Sequence, residues 1–487
     1  MNKELNHRSG WNRREFLKMG GLAAAAGSIG FPLPTARGLN LDEVPLGERP
    51  FQAPDVQVCN PYHRIPLSFI IDDSTCLVNM GHFCMPQFAQ AFPERADYRK
   101  PWREWPREIP DDFVKEFADF CDSHGVKGKY SIVPYPACVG WLDRFLPGWS
   151  HRDLKNSLTL VRERMCPSWD IHPEMISHTR VLDLKSGRPM EEINLHTMEN
   201  SHPVMNVSSD YLAEYISRAL QVLKNVDLPC EGFTTPGGFG NRVKSVLSSA
   251  GAEAVSSVFG VDLPHYFKYL ELDPEKSTQP RVEHASGLSG ADPSCMVNVI
   301  AGTGDWFGGW DGVSAGNIGE SANRFISADG TSGRMVEMIS RNEPAIMLCH
   351  WPGIYCNGSK EGFQIFIQAV RRLKQFYGET TRWMKVSEIA RYWAAKELTA
   401  IQWGGVEGND VAQMGQLICR APYSTPGYTL RCAHRPGREA QVLGRSRLSA
   451  VSSVSQLVSG SRWVDEKAGQ EVLCFDLQKG DNRIVWK

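Results

Sequence analysis

A set of acidic and imidazole side chains sits where apolar runs give way to polar residues. Leu67-Ser68-Phe69-Ile70-Ile71 ends in Asp72-Asp73, and Glu174-Met175-Ile176-Ser177 is followed by His178. Asp305-Trp306 come after the run Met296–Ile300, and His350 closes Ala345–Cys349. Adjacent carboxylates at a strand end point to opposite sides, so one can ligate a metal while its neighbour acts as a base or orients a water. Zinc-like divalent ions take such His/Asp sets and, in catalytic sites, keep one position for water. Each residue also has a plainer reading: an Asp after a strand caps a turn or helix, and a lone His is more often a satisfied core residue. Aromatic residues lie beside two of these positions. Trp306, Trp310, Trp351 and Tyr355 could stack on sugar faces at a shared mouth, or simply pack in the core.

Strand ends need strands, and the chain supplies them in alternation with helices. The first strand, Leu67–Asp73, is a largely apolar run, as buried parallel strands are. Asp111–His124 has apolar Phe113, Val114, Phe117, Ala118, Phe120 and Cys121 at helical spacing, with Gly125 as its stop. Strands are expected at Lys129–Val133, Glu174–Ser177, Gly232–Thr234, Ala254–Val258, Met296–Ile300 and Ala345–Cys349. Helices are expected at Arg152–Met165, Asp210–Lys224, Lys244–Ala250 and Gly362–Tyr377. Such alternation argues for an α/β domain with a parallel sheet, and this many units favour closure into a barrel with its active site at the strands' C-terminal ends. After Leu398 helical patterns vanish. Short apolar stretches between Gly, Ser and Pro predict a small β-rich C-terminal domain over residues 399–487.

Taken in order, these segments resemble a known family. Phe69-Ile70-Ile71-Asp72-Asp73-Ser74 is similar to the first motif of the polysaccharide deacetylases of the NodB-homology class, within the wider glycoside hydrolase/deacetylase superfamily. Gly125–Val133 resembles that family's second strand, Glu174–Thr179 its metal-histidine motif, and Asp305-Trp306 and Ile346–His350 its two late motifs. The resemblance spans residues 63–398 and implies a distorted (β/α)7-type barrel. It implies Asp72 as catalytic base, Asp73 and His178 as ligands of a divalent metal, zinc by preference, and His350 as general acid in surroundings shaped by Asp305 and Trp306. The family's second histidine lies four residues after the first, where this chain has Leu182. Leu182–Pro189 reads as a hairpin insertion, after which His202 stands before the next helix. His202 is therefore the third expected ligand, with His196 and His172 as rivals. Phe233-Thr234-Thr235-Pro236-Gly237-Gly238 lacks the arginine that the family uses to steer the base, and Arg242 is the nearest substitute in sequence. The implied activity is acetyl removal from a carbohydrate. Two other readings stay open: a glycoside hydrolase in which Glu199 or Asp305 pairs with Asp72, and an inactive carbohydrate-binding barrel.

The remaining sequence bounds these readings. The 487 residues, 42% hydrophobic and 22% charged, exclude wholesale disorder and a polytopic membrane protein. A net charge of −2 gives no reason to expect a nucleic-acid partner. Trp11-Asn12-Arg13-Arg14-Glu15-Phe16-Leu17-Lys18, then an alanine-rich run to Phe31 and small residues to Ala36, resemble a twin-arginine export signal over residues 1–36. The apolar run is too short to span a bilayer, and no later stretch is long enough for a membrane span. The signal implies the twin-arginine machinery as a partner and a bacterial protein exported folded, to the periplasm or beyond. A product starting near Arg37 would carry 48 basic and 53 acidic residues, net −5, and would open with a Pro-rich lead-in to residue 62. Thirteen cysteines with no C-x-x-C pair suggest neither a disulfide scaffold nor a zinc ribbon; in a protein folded before export they are expected to be buried packing residues.

Overall fold

The computed structural model describes residues 41–404 and 415–487, so the expected export signal lies outside the described residues. The strands that matter for the site are β1 (Ile65–Asp72), β2 (Gly128–Ile132), β3 (Trp169–Pro173), β4 (Gly232–Thr234), β5 (His265–Leu270), β6 (Ser294–Ala301) and β7 (Ala345–His350). All eight residues of β1 are buried, which an apolar run covered on both faces requires. β7 and β2 flank β1 in parallel, with His350 opposite Asp72 and Tyr130 opposite Ile71. Thr381–Trp383 also runs parallel to the start of β1. β2 approaches so closely that a side chain on Gly128 would run into the Phe69 carbonyl, which is why glycine opens this strand.

The protein is thus a mixed α/β fold built on parallel sheets. One has the order β7-β1-β2-β3; another runs β4-β5-β6, with Arg281–Ser286 antiparallel on its edge. The two meet twice. Glu174, just past β3, makes a parallel bridge to Thr234 of β4, and the Gly302 N–H after β6 donates to the Ile346 carbonyl of β7 at 2.9 Å.

Helices cover these sheets through the stripes the sequence announces. Asp111–His124 buries Phe113, Val114, Phe117, Ala118 and Cys121, and ends at Gly125 in the left-handed conformation, φ +68°. Phe117 stacks on Phe366 of the helix Glu361–Tyr377 at 5.4 Å, and Phe366 stacks on Phe69 of β1 at 4.5 Å. Truncating such a buried ring to alanine costs about 3–5 kcal/mol.

Two expected strands are corrected. The segment Glu174–Ser177 is the turn after β3 rather than a strand. The run Ala254–Val258 continues a single helix, Lys244–Phe259. Its β-branched residues suggested a strand, but Leu247, Ala250, Gly251, Ala254 and Val255 share one helical face, and all of them are buried. The strand of this unit is β5, whose aromatic-rich sequence His265-Tyr266-Phe267 had not been singled out.

Beyond Leu398 the described residues form two antiparallel-rich sheets. One joins Ala400–Gly404, Gln416–Ala421, Gly480–Trp486 and Ala440–Val442; the other holds Thr425–Ala433, Gln470–Leu477 and Ser461–Asp465. Gln57–Val58 of the lead-in pairs with Thr425–Ala433. Among the described residues no helix is long and apolar enough to cross a membrane. All thirteen cysteines are free, and only Cys138 and Cys166 are partly exposed.

Candidate active site

The turn after β3 brings two ligand types to one point. Met175 and His178 take positive φ values of 49° and 62°, as does Asp73 at 54°. Non-glycine residues held there cost on the order of 1–3 kcal/mol each and persist where surrounding structure over-determines them. Here Glu199 does so. Its wholly buried carboxylate accepts the backbone N–H groups of Ile176 (3.1 Å), Ser177 (3.1 Å) and His178 (2.6 Å), and the Tyr215 hydroxyl at 2.6 Å. Burial pushes the Glu199 carboxyl up to about 7, against the pull of these donors.

So held, His178 points Nε2 to within 2.7 Å of Asp73 Oδ1 and 3.4 Å of Glu174 Oε1. Glu174 is tied to Asp73 as well, since its Oε2 accepts the Asp73 N–H at 2.9 Å. Ligand atoms of Asp73, Glu174 and His178 lie within 4.8 Å of one another. Asp73 Oδ1 is buried and finds no hydrogen-bond donor of good geometry among the described residues. A buried carboxylate oxygen without a donor, converging with a second carboxylate and an imidazole, is what a divalent cation would satisfy. Burial disfavours the charged form of His178, but the charge and hydrogen bond of Asp73 together with hydrogen bonds to Cys84 and Glu174 outweigh it and hold the imidazole's pKa well above its usual value.

Beside this group stand the other two functional side chains. Asp72 is almost sealed, and its Oδ1 accepts from Lys129 Nζ and from Ser131 Oγ at 3.2 Å. Burial and the Glu174 charge raise the Asp72 carboxyl, while Lys129 and His350 pull it back. Asp305 Oδ2 accepts both the His350 N–H at 3.1 Å and His350 Nδ1 at 2.7 Å. Burial opposes charge on His350, yet the hydrogen bond to Asp305 and the fields of Asp73, Asp305 and Asp72 raise it to about 9. The imidazole is therefore protonated near neutrality, with Nδ1 spent on Asp305 and Nε2 left to donate.

The structure brings Asp72, Asp73, His178, Asp305 and His350 into this arrangement. His202 is not part of it: its Nε2 meets the Tyr211 hydroxyl at 3.1 Å, and its ring packs against Tyr215 and Phe239. The third converging ligand is Glu174, which the sequence reading had passed over as a strand residue. His172 is buried elsewhere against His265, and His196 is exposed. Trp351 is also corrected. It is fully buried against Phe117 and Tyr130, leaving no face for a ligand. Tyr355 packs on Phe113, Trp306 lies under the Arg324 guanidinium at 4.3 Å and Trp310 sits against Phe88 and Tyr98, and all three keep partial exposure. The Trp310 wall reaches the site, because Phe88 lies edge-on to His178 at 6.2 Å. Arg242 is exposed, and the cation beside Asp72 is Lys129. The sequence carried one sign of it: a lysine inside a strand whose other residues are uncharged. Cys349, next to the proposed acid, is sealed, and burial holds its thiol far above the usual range, so it stays neutral.

No family model matches this chain, and no curated protein matches it. Solved structures with a similar course include a provisional polysaccharide deacetylase from Mycobacterium smegmatis, 12% identical over 75% of this chain and 100% of that one, TM-score 0.40. A provisional glycoside hydrolase/deacetylase from Parabacteroides distasonis is 10% identical over 78% of this chain and 84% of that one, TM-score 0.37. A provisional alpha-L-fucosidase from Bacteroides thetaiotaomicron is 9% identical over 88% and 94%, TM-score 0.32. With TM-scores this low, nothing about function is taken from these likenesses.

Proposed function

We propose that this chain is a metal-dependent hydrolase that removes acetyl groups from a polysaccharide or oligosaccharide, working outside the bacterial cytoplasm after folded export. The observation that carries the reading is a juxtaposition. Asp72 and His350 face each other across β1 and β7, and Asp73, next in sequence to Asp72, converges with Glu174 and His178. We read the two parallel sheets and their two junctions as a distorted (β/α)7-type barrel with this group at the strands' C-terminal mouth.

Asp73, Glu174 and His178 would hold the ion, proposed as zinc, with a position left for water. When bound, the metal would supply polarisation of the acetyl carbonyl and acidification of that water. The chain's own residues do the rest. Asp72 accepts the water proton through Oδ2, since Oδ1 is occupied by Lys129 and Ser131. His350, charged and oriented by Asp305, donates from Nε2 to the departing amine or alcohol. Carbohydrate as the substrate class rests on the motif resemblance, with Trp306 and Trp310 as partly exposed aromatic faces for a sugar. Neither carboxylate that the sequence offered as a glycosidase partner for Asp72 is open: Glu199 is enclosed by its four donors, and Asp305 is committed to His350. Export rests on residues 1–36 and is tested by cell fractionation with Arg13 and Arg14 both changed to Lys.

The deciding experiment pairs elemental analysis with acetate release from N-acetylglucosamine oligomers and acetylated xylan. Wild type is expected to hold about one ion per chain and to release acetate, and His178→Ala to lose both. Metal without acetate release from either glycan would sink the deacetylase assignment; no metal would sink the hydrolase reading altogether.

A further inference from the structure

We propose that Lys129 is the positioning residue of the site: its ammonium fixes Oδ1 of Asp72, so that the other carboxylate oxygen is the one presented for proton transfer. The inference rests on the hydrolase reading above.

Lys129 is wholly buried, second of the five residues of β2. Lysine is almost never fully buried unless paired, because stripping water from an ammonium costs several kcal/mol. Its surroundings identify what it is paired with. Nζ contacts Asp72 Oδ1, and it donates to Ser131 Oγ at 2.7 Å. Ser131, two residues along the strand and so on the same face, itself donates to Asp72 Oδ1. Below the ammonium lies the ring of Phe267 on β5, 5.1 Å from Nζ, a favourable face for a desolvated cation. Both donors of this triangle thus meet one oxygen of Asp72, and among the described residues none meets Oδ2.

Packing alone does not account for this arrangement. Replacing a buried ion pair by apolar side chains of equal volume is commonly neutral or stabilising, so a purely structural role would be served as well by methionine and leucine. What the charge adds is electrostatic and geometric. Asp72 is next in sequence to Asp73, around which Glu174 and His178 converge. Lys129 sets a buried positive charge against Oδ1, and the pinned Oδ1 limits rotation of the group. Proton transfer requires placement within a fraction of an ångström, so a loosened base would lower turnover more than substrate binding. Lys129 has no exposure from which to touch substrate, so any effect on chemistry passes through Asp72.

The test uses the full-length, metal-loaded protein as wild type, Lys129→Met, Asp72→Asn and the double variant, with acetate release from N-acetylglucosamine oligomers and acetylated xylan as the assay. Lys129→Met is expected to lower kcat about 10- to 100-fold with KM changed less than about 3-fold, and to leave metal content as in wild type. In the Asp72→Asn background the same change should lower kcat by less than about 2-fold, because the group it positions is already gone. Where Lys129→Met alone does not fold, the double variant, neutral at both positions, is compared with Asp72→Asn. Equal rates carry the proposal, and a further loss beyond about 5-fold overturns it. Loss of metal in Lys129→Met, or a rise in KM with kcat unchanged, overturns it too. A wild type that releases no acetate fails the hydrolase reading and the proposal together, whereas additive losses in an active enzyme fail the proposal alone.

Discussion

Two buried clusters of histidine and carboxylate lie in the same α/β framework, and they behave as opposites. At the strand ends, His178 meets Asp73 and Glu174 and keeps 12% of its side chain exposed. Deeper in, His172 of β3 and His265 of β5 face each other, Nε2 to Nε2 at 2.8 Å, with no exposure. Asp170 stands 4.0 Å from His265, but its oxygens are already used, accepting the Ser387 N–H at 2.6 Å and the Ser387 hydroxyl at 2.8 Å. Burial keeps His172 well below its ordinary pKa and His265 at about 4, whereas Asp73, Cys84 and Glu174 together overcome burial at His178. Residue types alone do not separate the two. What separates them is the number of carboxylates still free to converge and the partial exposure of His178.

The largest expected effect tests that distinction directly. Asp73→Asn should bring bound metal from about one ion to below about 0.1 per chain and acetate release down at least about 1,000-fold, while Asp170→Asn should leave metal content unchanged. Elemental analysis of both variants checks it, and metal loss in Asp170→Asn would collapse the comparison. Next in size is Glu199→Gln, which slackens the turn carrying His178 without touching a ligand atom. A chelator competition assay should find metal affinity weaker by about 10- to 100-fold, the usual cost of losing an outer-shell partner.

A smaller effect is expected in the sealed pair. His265→Asn should cost about 1–3 kcal/mol, from the orphaned His172 nitrogen, with wild-type metal content; chemical denaturation measures it. The pH dependence of stability should be smallest and opposite in sign in the two regions. His265, held at about 4, destabilises the fold as pH falls from about 6.5 toward 4, because the unfolded state takes up the proton first. His350, raised to about 9, contributes stability that is complete below about 6.5 and fades as pH rises through about 9. In melting curves of the metal-free proteins, His265→Asn should therefore lack the wild-type decline between pH about 6.5 and about 4, whereas His350→Asn should lie below wild type up to pH about 6.5 and converge on it as pH rises through about 9.

Several of these residues were legible before any coordinates. Asp72 and His350 stood out because apolar strands ending in polar groups are a linear pattern, and the helix Asp111–His124 with its Gly125 stop was readable from local periodicity and capping. The hairpin at Leu182–Pro189 was also legible: Leu182–Asp183 pairs with Arg188–Pro189. Glu174 was missed because its role depends on a turn with positive φ at Met175, and local pattern read the segment as extended. Lys129 was missed because a lysine in a strand is ordinarily the solvated side, and only closure of the sheets decides which face is inside. His202 and Trp351 were selected by sequence proximity to the motifs. Their side chains turn toward Tyr211 and Phe117, for which spacing gives no signal.

The sequence by itself determined the alternation of strands and helices, the acidic and imidazole strand ends, and the twin-arginine pattern at residues 11–18. Periodicity, capping and polarity act within a few residues, and so they survive in the linear order. Tertiary structure alone decided that Glu174 completes the group with Asp73 and His178, that Lys129 faces Asp72, and that Glu199 is a clamp on the turn rather than a second catalytic carboxylate. Those assignments depend on pairs far apart in sequence, 101 residues for Asp73 and Glu174 and 57 for Asp72 and Lys129. Distances of a few ångströms between such residues are set by strand register and sheet closure, which no local stretch of sequence encodes.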